Sequence, residues 1–136
     1  MIKIIIGRKG SGKTKLLVDM VNEAANASLG NVVCIEKGDT LTYSVTHKAR
    51  LVDADAYGIA GYNEYYGMVA GIKAGNHDVT HIFGDATLRI GTRDYEELIA
   101  FFERIAKIDD VEFVFTISAD KEELPKKLFD IAEVCN

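Results

Sequence analysis

The chain predicts an α/β fold, a three-layer sandwich with a mainly parallel sheet of four or five strands in one domain spanning residues 1–136. Three observations carry that prediction. Short β-branched or aromatic runs are apolar along their length, as strands buried on both faces are. Segments with helical spacing of apolar residues lie between them. The strand–helix alternation recurs along the whole chain, the pattern of a parallel sheet covered by helices.

The elements follow in order. Ile2 and the run Ile4-Ile5-Ile6 read as a buried strand that stops at Gly7. A glycine-rich stretch leads into a helix with Leu16, Leu17, Met20, Val21, Ala24 and Ala25 on one face, closed by Gly30. Asn31-Val32-Val33-Cys34-Ile35-Glu36 is a second strand. Residues 37–61 read mostly as loop, with a short strand at 50–52. A helix over 63–74 carries Tyr65, Met68, Val69 and Ile72 on one side and ends at Gly75. Residues 79–83 form the next strand, before Gly84-Asp85. The clearest helix runs over 94–107: Asp94 and Glu97 have capping-box spacing, and Leu98, Ile99, Phe101, Phe102 and Ile105 make its apolar stripe. A strand over 111–117 follows. A last helix after Pro125 buries Leu128, Phe129 and Ile131 or Ala132.

Composition narrows the function. Hydrophobic residues make up 48% and charged residues 27%, which disfavours a disordered chain. The net charge of -5 disfavours nonspecific nucleic-acid binding, which needs a positive surface. Cys34 and Cys135 lack metal-ligand or redox spacing, and Cys34 reads as a buried free thiol suited to a reducing compartment. The first apolar run is too short for a signal peptide, and no stretch approaches a membrane span. The expected location is the cytoplasm, with no membrane partner.

Gly7-Arg8-Lys9-Gly10-Ser11-Gly12-Lys13-Thr14 fits Gly-x-x-x-x-Gly-Lys-Ser/Thr at every fixed position. It also lies between a buried strand and an amphipathic helix, as a phosphate-binding loop must. Glycines let successive backbone amides turn toward phosphate oxygens, and the helix start adds partial positive charge. Lys13 supplies a full charge to the β- and γ-phosphates, and Thr14 offers a hydroxyl to Mg²⁺. Arg8 and Lys9 lie inside the loop, where they can cover the phosphates.

On this motif the chain resembles the P-loop nucleotide triphosphatase superfamily. Within it, the chain is similar to small bacterial ATPase-like proteins, some of which carry names borrowed from pilus-retraction ATPases. The resemblance implies ATP, or another nucleoside triphosphate, and Mg²⁺ as ligands. It also implies an acidic residue after an apolar strand, a place that Asp85 fills, holding Mg²⁺ opposite Thr14. Many members of the superfamily carry a glutamate next, to activate water; here that position is Ala86. The Asn-Lys-x-Asp box that reads guanine is absent, and Ser118-Ala119-Asp120-Lys121 reads as a strand-to-helix cap.

Other residues have two readings. Arg89 and Arg93 are either solvated loop residues or phosphate contacts, on this chain or a neighbouring copy. Ser118 or Thr116 can sense a γ-phosphate from a strand end. Tyr57, Tyr62, Tyr65 and Tyr66 either stack a base or pack on the sheet. His47, His77 and His81 have no ligand spacing. The expected function is a small ATP-binding protein with slow or partner-stimulated hydrolysis, catalytic through Lys13 and Asp85, acting with a protein partner or as a homo-oligomer. The alternatives are a small-molecule kinase, with Asp39, Asp53 or Asp55 as base, and a nucleotide-binding interaction module without turnover.

Overall fold

A computed structural model describes all residues, Met1–Asn136. The chain is α/β, with one six-stranded parallel sheet between layers of helices. The strands are β1 (Ile2–Gly7), β2 (Asn31–Glu36), β3 (Arg50–Asp53), β4 (Val79–Gly84), β5 (Glu112–Ser118) and β6 (Ala132–Val134). The helices are α1 (Lys13–Ala27), α2 (Tyr62–Gly75), α3 (Thr87–Ile90), α4 (Tyr95–Ile105) and α5 (Leu128–Ile131).

The strand order is β3-β2-β4-β5-β1-β6. Six strands exceed the four or five expected. The extra one is β6, three residues that follow the single turn of α5 where a longer helix was expected. Its pairing to β1 continues beyond the strand itself. Cys135 N–H donates to the Ile4 carbonyl, and the Asn136 side-chain amide accepts from Ile6 N–H and donates to the Ile6 carbonyl.

Strand residues alternate between two cores, as period-two side chains must. Ile4, Ile6, Ile35, Ile82, Phe113 and Phe115 point to the larger core, under α2 and α4. Ile5, Cys34, Phe83 and Val114 point to the smaller one, under α1 and the loop before β3, which adds Leu41, Val45 and Ala49. Cys34 is a free, fully buried thiol, and burial pushes its pKa up to about 12. No helix is long and apolar enough to cross a membrane.

Two local expectations change. Gly30 does not close α1, which ends at Ala27 with Ser28 N–H on the Ala24 carbonyl. Gly30 serves close approach instead: a Cβ there would lie 2.3 Å from the Thr80 side chain and 2.5 Å from the Asp78 carbonyl oxygen. At α4, the Asp94 carboxylate accepts from the N–H groups of Glu96 and Glu97. The reciprocal half of the capping box is replaced, because Glu97 accepts from the Thr92 hydroxyl, which itself receives Asp94 N–H.

Candidate functional site

The site is built where β1, β5 and β4 end side by side. Gly7 stands in register with Ser118, and Gly84 with Phe115. The carboxyl edge of a parallel sheet is where ligands bind in such folds. The three strand ends bring together the loop of residues 7–14, the polar residues Thr116 and Ser118, and Asp85. They border a cleft of about 780 Å³.

The loop leaves β1 at Gly7 and enters α1 through Gly12, whose φ of 92° is the left-handed conformation that glycine adopts without strain. No side chain caps α1, and no acidic residue lies in its first turn. The opening amides, which have no partner within a helix, are therefore open to an anion in the cleft. Lys13 is buried, with 8% of its surface exposed, and its Nζ donates to the Arg8 carbonyl at 2.8 Å. Burial lowers the Lys13 pKa, and the charge of Asp85 opposes that shift. Of the loop residues, Gly7, Arg8 and Ser11 do not line the cleft, and Arg8 instead pairs with Asp120, Nε to Oδ2 at 2.8 Å. Asp120 also caps a one-turn 3-10 helix (Lys121–Glu123) through a capping box with Glu123, as the cap reading of Ser118-Ala119-Asp120-Lys121 expects.

Asp85 follows β4 and faces Thr14 across the cleft. The Thr14 hydroxyl lies 3.3 and 3.2 Å from the two carboxylate oxygens, and the Thr116 hydroxyl donates to Oδ1 at 2.7 Å. Thr116, 2% exposed, in turn accepts from Ala86 N–H at 3.0 Å. Thr116 thus fixes the carboxylate and the peptide after it, while Ser118 lines the cleft. Ala86 takes a φ of 55° and opens the single turn of α3, which the sequence reading did not foresee.

The glycine before Asp85 has a packing reason. A Cβ on Gly84 would lie 2.3 Å from the Tyr65 hydroxyl and 2.6 Å from the Phe115 ring. Tyr65 is fully buried, and its hydroxyl has no partner; the buried Thr87 hydroxyl has none either. Burial raises the Tyr65 pKa well above its ordinary value. Two orphaned hydroxyls therefore lie beside the segment that carries Asp85.

Arg89 and Arg93 line the cleft of their own chain. A neighbouring copy is not needed to bring an arginine there. Arg93 Nη2 lies 3.4 Å from the Ser118 carbonyl. Lys15, which the sequence reading did not single out, lines the cleft as well, and its signal was its place directly after Thr14 in the first turn of α1. Lys9 also borders the cleft.

Several candidates lie elsewhere. The Asp53 carboxylate accepts from Gly38 and Asp55 N–H groups, and Asp55 pairs with Lys37 at 2.6 Å. Neither they nor Asp39 line the cleft. Tyr62 donates its hydroxyl to the Thr92 carbonyl and packs on Phe101, Tyr65 stacks on Phe101, and Tyr66 lies under the Arg104 guanidinium. Tyr57 is exposed outside the cleft. His81 bonds Thr80 and stacks on Phe83, and no three His, Cys, Asp or Glu side chains gather as a metal site.

The donors between α1 and β4 suit Mg²⁺. It takes hard oxygen ligands and commonly uses one or two protein groups, with water and phosphate oxygens completing its shell. The Thr14 hydroxyl and Asp85 carboxylate are such a pair. No protein-family model matches the chain, and no curated protein matches it.

Proposed function

We propose that this chain is a cytoplasmic, Mg²⁺-dependent ATP-binding protein that hydrolyses ATP slowly on its own and faster when a partner or second copy engages it. One arrangement supports the reading. The loop of residues 7–14 ends in Lys13 at an uncapped helix start, and Thr14 stands 3.2 Å from Asp85. In this reading the open amides of α1 and the Lys13 ammonium bind the phosphates. On binding, Lys13 exchanges the Arg8 carbonyl for phosphate oxygen, a stronger, doubly charged hydrogen bond. Thr14 and Asp85 hold Mg²⁺, which when bound neutralises charge on the β- and γ-phosphates. Thr116 keeps the Asp85 carboxylate aimed at that position.

Slow turnover follows from what surrounds the γ-phosphate position. Hydrolysis needs an oriented water and compensation of transition-state charge. Arg89 and Arg93 are in reach to supply charge. Asp85 is the only carboxylate in the cleft lining, and Ala86 stands where a water-orienting glutamate would help. Phosphate release measured across a wide range of protein concentration tests the proposal. Low turnover at dilution that rises with concentration or with added partner is the expected result. Fast, concentration-independent hydrolysis by a monomer would overturn it. Consumption of ATP only with an acceptor would turn the reading to a kinase, and tight binding with no turnover to an interaction module.

A further inference from the structure

Resting on the reading of this cleft as a triphosphate site, we infer that recognition stops at the phosphates: the site takes a polyphosphate chain and is indifferent to the base attached to it. Charge is the first ground. Lys9, Lys13, Lys15, Arg89 and Arg93 line the cleft against a single carboxylate, Asp85. That local positive excess stands on a chain whose net charge is -5. A concave site of one sign draws in a ligand of the other. Lys15 also approaches Asp19 at 3.4 Å, but both side chains are largely exposed, so the pair leaves Lys15 free to meet an anion.

The second ground is what a base would find. Proteins hold bases by stacking them on aromatic planes and by hydrogen-bonding their edges, often with Asn or Gln. No aromatic, Asn or Gln side chain lines the cleft. Its only apolar side chains are those of Ala86 and Leu88, and Leu88 is 5% exposed. Pockets that bind organic ligands through their rings are lined mostly by apolar and aromatic side chains. Tyr62 and Tyr65 are held in the aromatic core, Tyr66 lies under Arg104, and Tyr95 packs against the larger core. A bound nucleoside triphosphate therefore leaves its base at the mouth of the cleft, in contact with water.

A stacked base is worth about 5- to 150-fold in affinity, so its absence can be measured. The intact chain is titrated calorimetrically with the Mg²⁺ complexes of ATP, GTP, CTP and inorganic tripolyphosphate at one fixed salt concentration. The expected result is four affinities within about fivefold of one another, with tripolyphosphate displacing ATP one for one. Arg89→Ala, at an exposed position, should weaken all four by the same factor. ATP binding with tripolyphosphate more than fivefold weaker, or one base preferred by more than fivefold, overturns base indifference and leaves the triphosphate site standing. An Arg89→Ala effect on the nucleotides but not on tripolyphosphate also overturns it, because the two would then occupy different sites. Failure of all four probes to bind overturns the triphosphate site and the inference together.

Discussion

Two carboxylates stand at the ends of neighbouring strands, and they have opposite fates. Glu36 ends β2, and Asp85 follows β4, with Asp85 N–H donating to the Ile35 carbonyl next to Glu36. Glu36 is 2% exposed and accepts three hydrogen bonds from the loop it precedes, from Thr40 N–H, the Thr40 hydroxyl and Leu41 N–H. Asp85 accepts only from two side-chain hydroxyls, of Thr14 and Thr116, and it borders the cleft. Backbone amides cannot turn away from an acceptor without unfolding the loop. A hydroxyl can rotate, and it keeps lone pairs of its own for a cation. The carboxylate held by amides is a structural clamp, whereas the one held by hydroxyls remains available to a ligand.

The largest expected effect strikes the clamp. Glu36→Ala removes three bonds and leaves two loop amides without their acceptor, which should destabilise the fold by about 2–4 kcal/mol, offset in part by no longer burying a charge. Denaturant unfolding measures it. A loss below about 0.5 kcal/mol would mean that the loop holds itself and the contrast fails on the Glu36 side. Next comes the cation beside Asp85. Lys13→Ala should weaken triphosphate binding by about 1.5–3 kcal/mol, the worth of charge-assisted bonds to phosphate, with the fold intact. Equal ATP affinities for the two proteins in calorimetry would remove the phosphate site from residues 7–14.

Asp85→Asn sharpens the comparison from the other side. The amide keeps the shape and one acceptor oxygen but lacks the charge that Mg²⁺ favours in a ligand. Stability should move by no more than about 0.5 kcal/mol, while the gain in ATP affinity on adding Mg²⁺ shrinks. ATP titrations with and without the metal decide the matter. An undiminished metal effect returns Asp85 to the role of a turn residue.

The two carboxylates also mark what the sequence could tell. The strand runs were legible because buried parallel strands are apolar throughout, and β2 emerges at its expected bounds. The glycine-rich turn between β1 and α1 was legible because its signal is local: the glycines, Lys13 and Thr14 are contiguous in sequence. Asp85 could be proposed only once that loop supplied a context. Glu36 carried no signal, because its partners Thr40 and Leu41 lie in a stretch without periodicity. Gly84 falls just past the expected strand over 79–83, and only the packing of Tyr65 and Phe115 against it accounts for a glycine there. The strand β6 was hidden because three residues cannot establish a period, and its place is set by the edge of β1 that it completes.

The smallest effect concerns pH, and its sign separates the clamp from an ordinary surface acid. Burial raises the Glu36 pKa above the usual carboxylate value of 4.5; the hydrogen bonds from Leu41 and Thr40 oppose the shift without cancelling it, and the charge of Asp53 adds to it. The folded protein then holds a proton on Glu36 where the unfolded chain has released it. Folding stability must fall as pH rises through the interval between the unfolded and folded values, and the contribution is fully present only below that interval. A carboxylate stabilised by a salt bridge would show the opposite slope. Glu36→Gln keeps the shape and cannot titrate. The unfolding free energy of the wild type minus that of Glu36→Gln should therefore decline as pH is raised above 4.5, then level off once the folded protein has also released the proton. A difference that rises over that range would show that the three hydrogen bonds outweigh burial, and that Glu36 clamps its loop most strongly as the charged form.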